Sequence, residues 1–250
     1  MIVYTDPQGS EAWLENRRGC ITASRARDAR DKLKSGAPSS KCLLYAMDVA
    51  RERCGGNAAP VFVNSAMRFG SDQEPFARMA DEAQSGDMIE EAGFITTDDG
   101  RFGVSVDGLI GDDGMWECKT MVSSDTLFTA VVDGDVSAYI DQINFALWLL
   151  GRKWCRLALW APDLPAKQLT TILIERNDDA IEALEADLIA FERLVSGYEA
   201  KLRRAMGQTL APVHGAITAA QINAADFATK ASVLARAPAL AAGLPQSIFG

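Results

Sequence analysis

GVSVDGLIGDDGMWECKT, residues 103–120, decides the fold, because two runs of β-forming residues flank a Gly/Asp turn and the chain must double back there as a hairpin. The first run carries Asp107 near its end, and the second carries Glu117 and Lys119. Side chains alternate along a strand, so Glu117 and Lys119 share one face, while Trp116 and Cys118 take the other, which is predicted to be core. Whether Asp107 joins the two charges depends on the turn. A four-residue loop over 111–114 sets Ile110 opposite Met115 and Gly108 opposite Glu117, which leaves Asp107 on the wrong side of the sheet. An odd-length loop or a β-bulge brings it across, and Gly108, Gly111 and Gly114 permit either.

If Asp107 and Glu117 converge, the two carboxylates repel each other, and the remedies are a raised pKa or a bound cation, with Lys119 alongside favouring the ionised forms. Carboxylate oxygens without a neighbouring His or Cys ligand geometry select Mg²⁺ or Mn²⁺ over zinc. Such an ion activates water and stabilises a leaving oxygen, and the lysine positions the nucleophile or offsets charge. An acid followed ten residues later by ExK also recurs by chance in soluble proteins, where it reads as a solvated hairpin face.

Outward from the hairpin, 89–97 and 102–110 read as the preceding strands of a meander, and 154–160 and 169–175 as two more that complete the sheet. Toward the N-terminus, Ser10 caps a short helix containing Trp13. After Gly19, Thr22 or Ser24 caps a second helix running toward Lys34. Helices are predicted over 41–54 and 64–83, the latter kinked or restarted at Pro75, and over 124–132 and 136–150. From Asp178 or Asp179 a long helix places Ile181, Leu184, Leu188, Phe191, Val195, Tyr198 and Leu202 on one stripe, which suits docking on the domain's own sheet or on a neighbouring subunit. The order of helices, meander, helix and strands is that of an α/β or α+β protein with a mixed sheet. Thirteen of the 43 residues from Gln208 onward are alanine and only Asp226, Lys230 and Arg236 are charged, so this tail lacks the bulk for its own core. It reads as an extension with one helix near 219–236.

The 250 residues are 48% hydrophobic and 24% charged, the proportions of a soluble globular chain. The longest apolar run, 145–150, stops at Gly151 and Arg152, far short of the roughly 18 residues of a membrane span. The N-terminus shows no basic segment followed by an apolar one, so a cytoplasmic location is expected. Cys20, Cys42, Cys54, Cys118 and Cys155 are odd in number and never in CxxC spacing, which argues against disulfides, zinc or an iron–sulfur cluster. His214, the only histidine, lies between Pro and Gly and reads as a loop residue rather than a base.

Five blocks in order resemble the bacteriophage lambda exonuclease family, the viral-recombinase (YqaJ-like) branch of the PD-(D/E)xK nucleases, over roughly 11–177. They are WLENRRGCITAS (13–24), FGSDQEPF (69–76), VDGLIGDDGMWECKT (106–120), SAYIDQINFALW (137–148) and ILIERND (172–178). The resemblance implies a restriction-endonuclease-like core with a central mixed β-sheet flanked by helices. The exonuclease domain is read over 1–206, and the helical, Ala-rich extension over 207–250, which has no counterpart in the family pattern, is left for assembly or partner docking. By the same resemblance Asp107 and Glu117 bind metal with help from the Cys118 carbonyl, Glu74 adds a helix acid, and two Mg²⁺ (or Mn²⁺) ions occupy each active site. Lys119 works with the attacking water and Gln142 stands with it, while Arg17 and Ser24 hold a DNA 5′-phosphate. A helix start at Ser24 suits phosphate and Arg17 suits a bidentate contact, although by themselves they read as an ordinary cap and a surface charge. Gln142 lies about 200° round the 136–150 helix from Ile140, off the apolar stripe of Ile140, Ile143, Leu147 and Leu150. Glu74 beside Pro75 has no predictable direction. Val106 stands where patterns of this class often show Pro.

The implied activity is 5′-to-3′ resection of linear double-stranded DNA to leave 3′ single strands, with a single-strand annealing protein as partner and a homotrimeric ring as assembly. The host cytoplasm is the location if a phage encodes the chain. Alternatives are another PD-(D/E)xK enzyme of the RecB or Cas4 kind, the latter disfavoured by the scattered cysteines, or a catalytically silent DNA-end-binding protein. The net charge of −9 opposes long-range capture of DNA, and a ring of three copies totals −27, three times −9. Arg17, Arg18, Arg25 and Arg27 are the local positives that can line an entrance.

Overall fold

The structure, a computed structural model, describes residues 1–57 and 65–207. The tail from 208, with its expected helix, its expected docking role and His214, lies outside the described residues, as does the expected helix start at 64.

Two four-stranded mixed sheets are flanked by helices, and the predicted α/β class holds. The first sheet has β1 (Ile2–Tyr4), β3 (Phe94–Thr96), β4 (Phe102–Ser105) and β2 (Ile21–Thr22) in that spatial order, with β2 parallel to β4. The second has β5 (Gly108–Ile110), β6 (Gly114–Thr120), β7 (Trp154–Trp160) and β8 (Leu169–Glu175), with β6 and β7 parallel. Strands β7 and β8 fall on the residues predicted for them. The run predicted as one strand over 102–110 is two, because the chain leaves the first sheet after Ser105 and enters the second at Gly108. The predicted 89–97 strand shrinks to β3, and Glu90 makes only an isolated bridge to Leu109.

Helix α1 (Glu11–Arg17) begins where Ser10 accepts a hydrogen bond from the Trp13 amide, as its cap residue predicts. The helix expected from Thr22 or Ser24 toward Lys34 is much shorter: a 3-10 turn, Ala23–Arg25, leads into α2 (Ala26–Ala29). Thr22 makes no side-chain cap bond. Helix α3 (Ser40–Arg53) is capped by Ser39, and α4 (Ser65–Ser85) runs through Pro75 as a single element. Polar bolts on both sides of that proline hold α4 to the second sheet. Trp160 Nε1 donates to Gln73 Oε1 at 3.1 Å, and Trp116 Nε1 donates to Asp81 Oδ2 at 2.9 Å. Arg156 Nη1 donates to the other Asp81 oxygen at 3.0 Å.

After β6, α5 (Ser124–Leu127) continues as a π-helical turn, Phe128–Val132. Helix α6 (Ser137–Leu150) then ends at Gly151, whose left-handed φ of 67° suits a residue without Cβ. Helix α7 (Asp178–Ala205) docks its apolar stripe on α3 and α6 rather than on a sheet. One core lies between α3, α6, α7 and the sheets, around Met115, Leu157, Leu147, Leu184 and Phe191. A smaller one, with Trp116, Ala158, Trp160 and Ala77, lies between the second sheet and α4. The second sheet is therefore covered on both faces. Leu184 is fully buried at the centre of the α7 stripe, so Leu184→Ala is expected to destabilise the fold by about 2–5 kcal/mol, read as a lower urea midpoint.

Candidate active site

The hairpin settles the placement of Asp107. Gly108 pairs with Trp116, Leu109 with Met115 and Ile110 with Gly114, so the loop is three residues, Gly111 to Asp113, and that register, continued one residue past the strand, puts Asp107 opposite Glu117, close enough for the Glu117 charge to act on it. Gly111 makes the turn possible with φ 52°. Gly108 must be glycine for another reason: a Cβ there would meet Ile89 Cγ2 at 2.3 Å. Asp107 Oδ2 accepts the Cys118 amide at 2.8 Å, which ties the first acid across to the strand of the second. Trp116 and Cys118 face α4 on the other side, as predicted, with Trp116 fully buried.

Around Glu117 the charges interlock. It is only 2% exposed, and its Oε1 accepts from Lys119 Nζ at 2.6 Å and from Gln142 Nε2. Lys119 Nζ also reaches Gln142 Oε1 at 3.4 Å. Helix α6 thus turns Gln142 toward the strand acids while Ile143 and Leu147 enter the core. Burial works to lower the Lys119 pKa, but the Glu117 and Asp107 carboxylates outweigh it and hold the ammonium charged. Burial, and after it the Glu117 charge, pushes Asp107 well above the usual carboxylate range. Glu74, on α4, is raised by burial too, with Arg78 opposing and Glu117 adding to the rise. Cys118 is a poor thiolate, because burial and the neighbouring Asp107 charge push its thiol up.

Among the described residues no three His, Cys, Asp or Glu side chains cluster closely enough to hold an ion by themselves. Two facing carboxylates nevertheless suit a hard divalent cation, since Mg²⁺ takes one or two carboxylates and fills its remaining positions with water and substrate phosphate. Asp107 and Glu117 are the two carboxylates that come together there, with the Cys118 amide bound to the first. Glu74 is near enough to feel Glu117 but belongs to no three-acid group.

Arg17 and Ser24 lie on the first sheet's side of the acids. Arg17 Nη1 donates to Ser105 Oγ at 3.3 Å, two residues before Asp107 in the chain, and its guanidinium lies 4.2 Å from the Trp13 ring centroid. Burial lowers its pKa. Ser24 is exposed in the 3-10 turn, its hydroxyl 3.4 Å from that of Thr22. The parallel pairing of Thr22 with Gly103 directs Ser24 and the end of β4 toward the same end of the sheet, and α6 packs against that turn. Sequence reasoning missed the Trp116–Asp81–Arg156 and Trp160–Gln73 bolts. It also missed Tyr139, whose ring lies 5.8 Å from Lys119 Nζ. A tryptophan on a core strand signals that its indole N–H needs a partner, but nothing local names which one.

Residues 12–153 match the YqaJ-like viral recombinase domain. An alkaline exonuclease, LHK-Exo, from Laribacter hongkongensis is similar in structure, with 30% identity and a TM-score of 0.70 over 79% of this chain and 98% of that one. The same protein in complex with dAMP gives 29% identity and a TM-score of 0.71, with the same coverage. A phage related exonuclease from Haemophilus somnus 129PT shares the fold at 14% identity and a TM-score of 0.60, over 75% of this chain and 96% of that one. No curated protein sequence matches the chain. Among the described residues no helix is long and apolar enough to cross a membrane.

Proposed function

The chain belongs to the YqaJ-like viral recombinase domain family, and on that premise we propose that it is a Mg²⁺-dependent exonuclease acting 5′ to 3′ on linear double-stranded DNA. It releases mononucleotides and leaves a 3′ single strand for annealing-type recombination. The observation that carries this reading is Asp107 set opposite Glu117, with Lys119 and Gln142 both hydrogen-bonded to Glu117. LHK-Exo, the relative at 29–30% identity, forms a complex with dAMP, a deoxynucleoside monophosphate of the kind such a reaction would release.

Two divalent ions, Mg²⁺ or Mn²⁺, would be held at Asp107 and Glu117 with the Cys118 carbonyl, Glu74 contributing from α4, and would supply an activated water and charge neutralisation at the phosphate. Lys119, held charged, orients the water through its ammonium and offsets negative charge as the phosphorus–oxygen bond breaks. Gln142 fixes the Glu117 carboxylate and the lysine relative to each other. Arg17 and Ser24 take the 5′-phosphate. Three copies form a ring around the duplex, so encirclement rather than phosphate affinity retains the DNA despite a total charge of −27, three times −9. The enzyme works in the cytoplasm, the host's if a phage encodes it, and passes its 3′ strand to a single-strand annealing protein.

The test is digestion with Mg²⁺ of linear duplex bearing 5′-phosphate or 5′-hydroxyl ends, beside closed circular duplex. The expected outcome is rapid loss of the phosphorylated linear DNA, slower loss of the hydroxyl form and intact circles. Degradation of circles, or no digestion at all, would overturn the reading. A monomer in light scattering that digests distributively while active would remove the ring.

A further inference from the structure

We propose that Glu52, Arg53 and Glu192 form a positioning clamp on Gly19 that fixes where Arg17 and Ser24 stand, and so sets the preference for a phosphorylated over a hydroxyl 5′ end. The inference rests on the reading of Arg17 and Ser24 as the 5′-phosphate residues.

Gly19 is the pivot of the segment between them. Its φ of +78° reverses the chain after α1, and it is captured through both peptide groups by consecutive residues of α3. Its N–H donates to Glu52 Oε2 at 2.8 Å, and its carbonyl accepts from Arg53 Nε at 2.8 Å. The Arg53 side chain packs flush on the pivot, since a Cβ at residue 19 would meet Arg53 Cγ at 2.9 Å. Arg53 is itself fixed as a fork, Nη1 and Nη2 donating to the two Glu192 oxygens at 2.8 and 2.9 Å. Their side chains are 14% and 6% exposed.

Glu192 reaches the same segment by a second route. Its Oε1 accepts from Arg101 Nη1 at 2.8 Å, and the Arg101 carbonyl accepts the Ile21 amide at 2.7 Å, where β2 begins alongside β4. Ser196 Oγ adds a bond to that oxygen at 2.9 Å. One carboxylate on α7 therefore controls both the pivot and the strand entry of the segment. A buried ion pair of this kind adds little net stability over apolar packing, and what it supplies here is direction. With Arg17 two residues upstream and Ser24 five downstream, a shift of the pivot moves both contacts to one phosphate together.

The experiment compares initial rates on linear duplex with 5′-phosphate and 5′-hydroxyl ends for the full-length protein and two variants, each checked for folding by circular dichroism. In Glu192→Gln the fork to Arg53 is lost, and the phosphate-to-hydroxyl rate ratio is expected to fall roughly tenfold or more, through a higher KM for the phosphorylated end. The rate on hydroxyl ends stays as in the parent. Gly19→Ala keeps both members of the ion pair but drives its methyl against Arg53, so it is expected to lower the ratio in the same way, and it carries the test if Glu192→Gln does not fold. A preference that survives both substitutions, or an equal slowing on both ends, overturns the clamp alone. A parent protein with no preference for phosphate overturns the reading of Arg17 and Ser24 and the clamp with it.

Discussion

Lys119→Ala is expected to lower the rate of nucleotide release from linear duplex by about a thousandfold, the upper range for removing one preorganised charge-stabilising group from an active site. The lysine is the cation held at the strand acids, by its 2.6 Å bond to Glu117 and its contact with Gln142. Removing it leaves Glu117, 2% exposed, with the neutral Gln142 amide as its remaining hydrogen-bond partner. Both the orientation of the water and the neutralisation of the breaking bond suffer, whereas capture of the DNA end, assigned to Arg17 and Ser24, does not. Single-turnover kinetics with end-labelled duplex separate the two effects. Lys119→Arg should recover little, because a planar fork cannot take the place of a compact ammonium between a carboxylate and an amide. A Lys119→Ala protein that keeps a tenth of the parent rate would refute the role given to the lysine.

Asp107→Asn is expected to be the second severe change, and it reads out in stability as well as activity. Asparagine keeps an oxygen for the Cys118 amide, so the hairpin survives, but the site loses one of its two facing carboxylates. In the parent, Mg²⁺ at a hundred times its dissociation constant should raise the melting midpoint by roughly 5–10 °C. In the variant that rise should vanish together with nuclease activity. The pH dependence follows from the same group. Asp107 has a folded-state pKa raised above its unfolded value, so its contribution to stability is complete below the unfolded pKa and is lost as pH rises through the folded one. Metal-free protein should therefore lose stability from mildly acidic toward alkaline pH, Glu74 acting in the same direction, and Mg²⁺ should offset the loss increasingly as pH rises. Without metal at neutral pH, Asp107→Asn should melt no lower than the parent. A metal-induced rise of equal size in both proteins, followed by differential scanning calorimetry, would exclude Asp107 as a ligand.

Much of this site is legible in the chain before folding. Alternation on a strand is enough to put Glu117 with Lys119 and to bury Trp116 behind them. Helical periodicity is enough to turn Gln142 away from the stripe that enters the core. Glu74 is the opposite case. Local rules place a kink or a fresh start at Pro75, and α4 does not restart there but continues as one helix, with the Trp160–Gln73 and Trp116–Asp81 bonds fastening it to the sheet on either side. Those partners are 87 and 35 residues apart in sequence, and no local pattern encodes such a pairing.

Local residue chemistry by itself determined the class of the fold, the two strands 154–160 and 169–175, the amphipathic α7 and the residue types of the site. The convergence of Asp107 with Glu117 was decided only in three dimensions. Glycine weakens a strand, so position 114 reads as part of the turn and the loop counts four residues. In the folded protein the Trp154 ring from the neighbouring strand lies over Gly114, where a Cβ would come within 2.2 Å of it. Gly114 is therefore a strand residue, the loop is three residues long, and that one-residue change of register carries Asp107 to the face of Glu117. Side-chain facing has a period of two, so a turn ambiguous by one residue leaves the site undetermined until a distant tryptophan fills the space above the glycine.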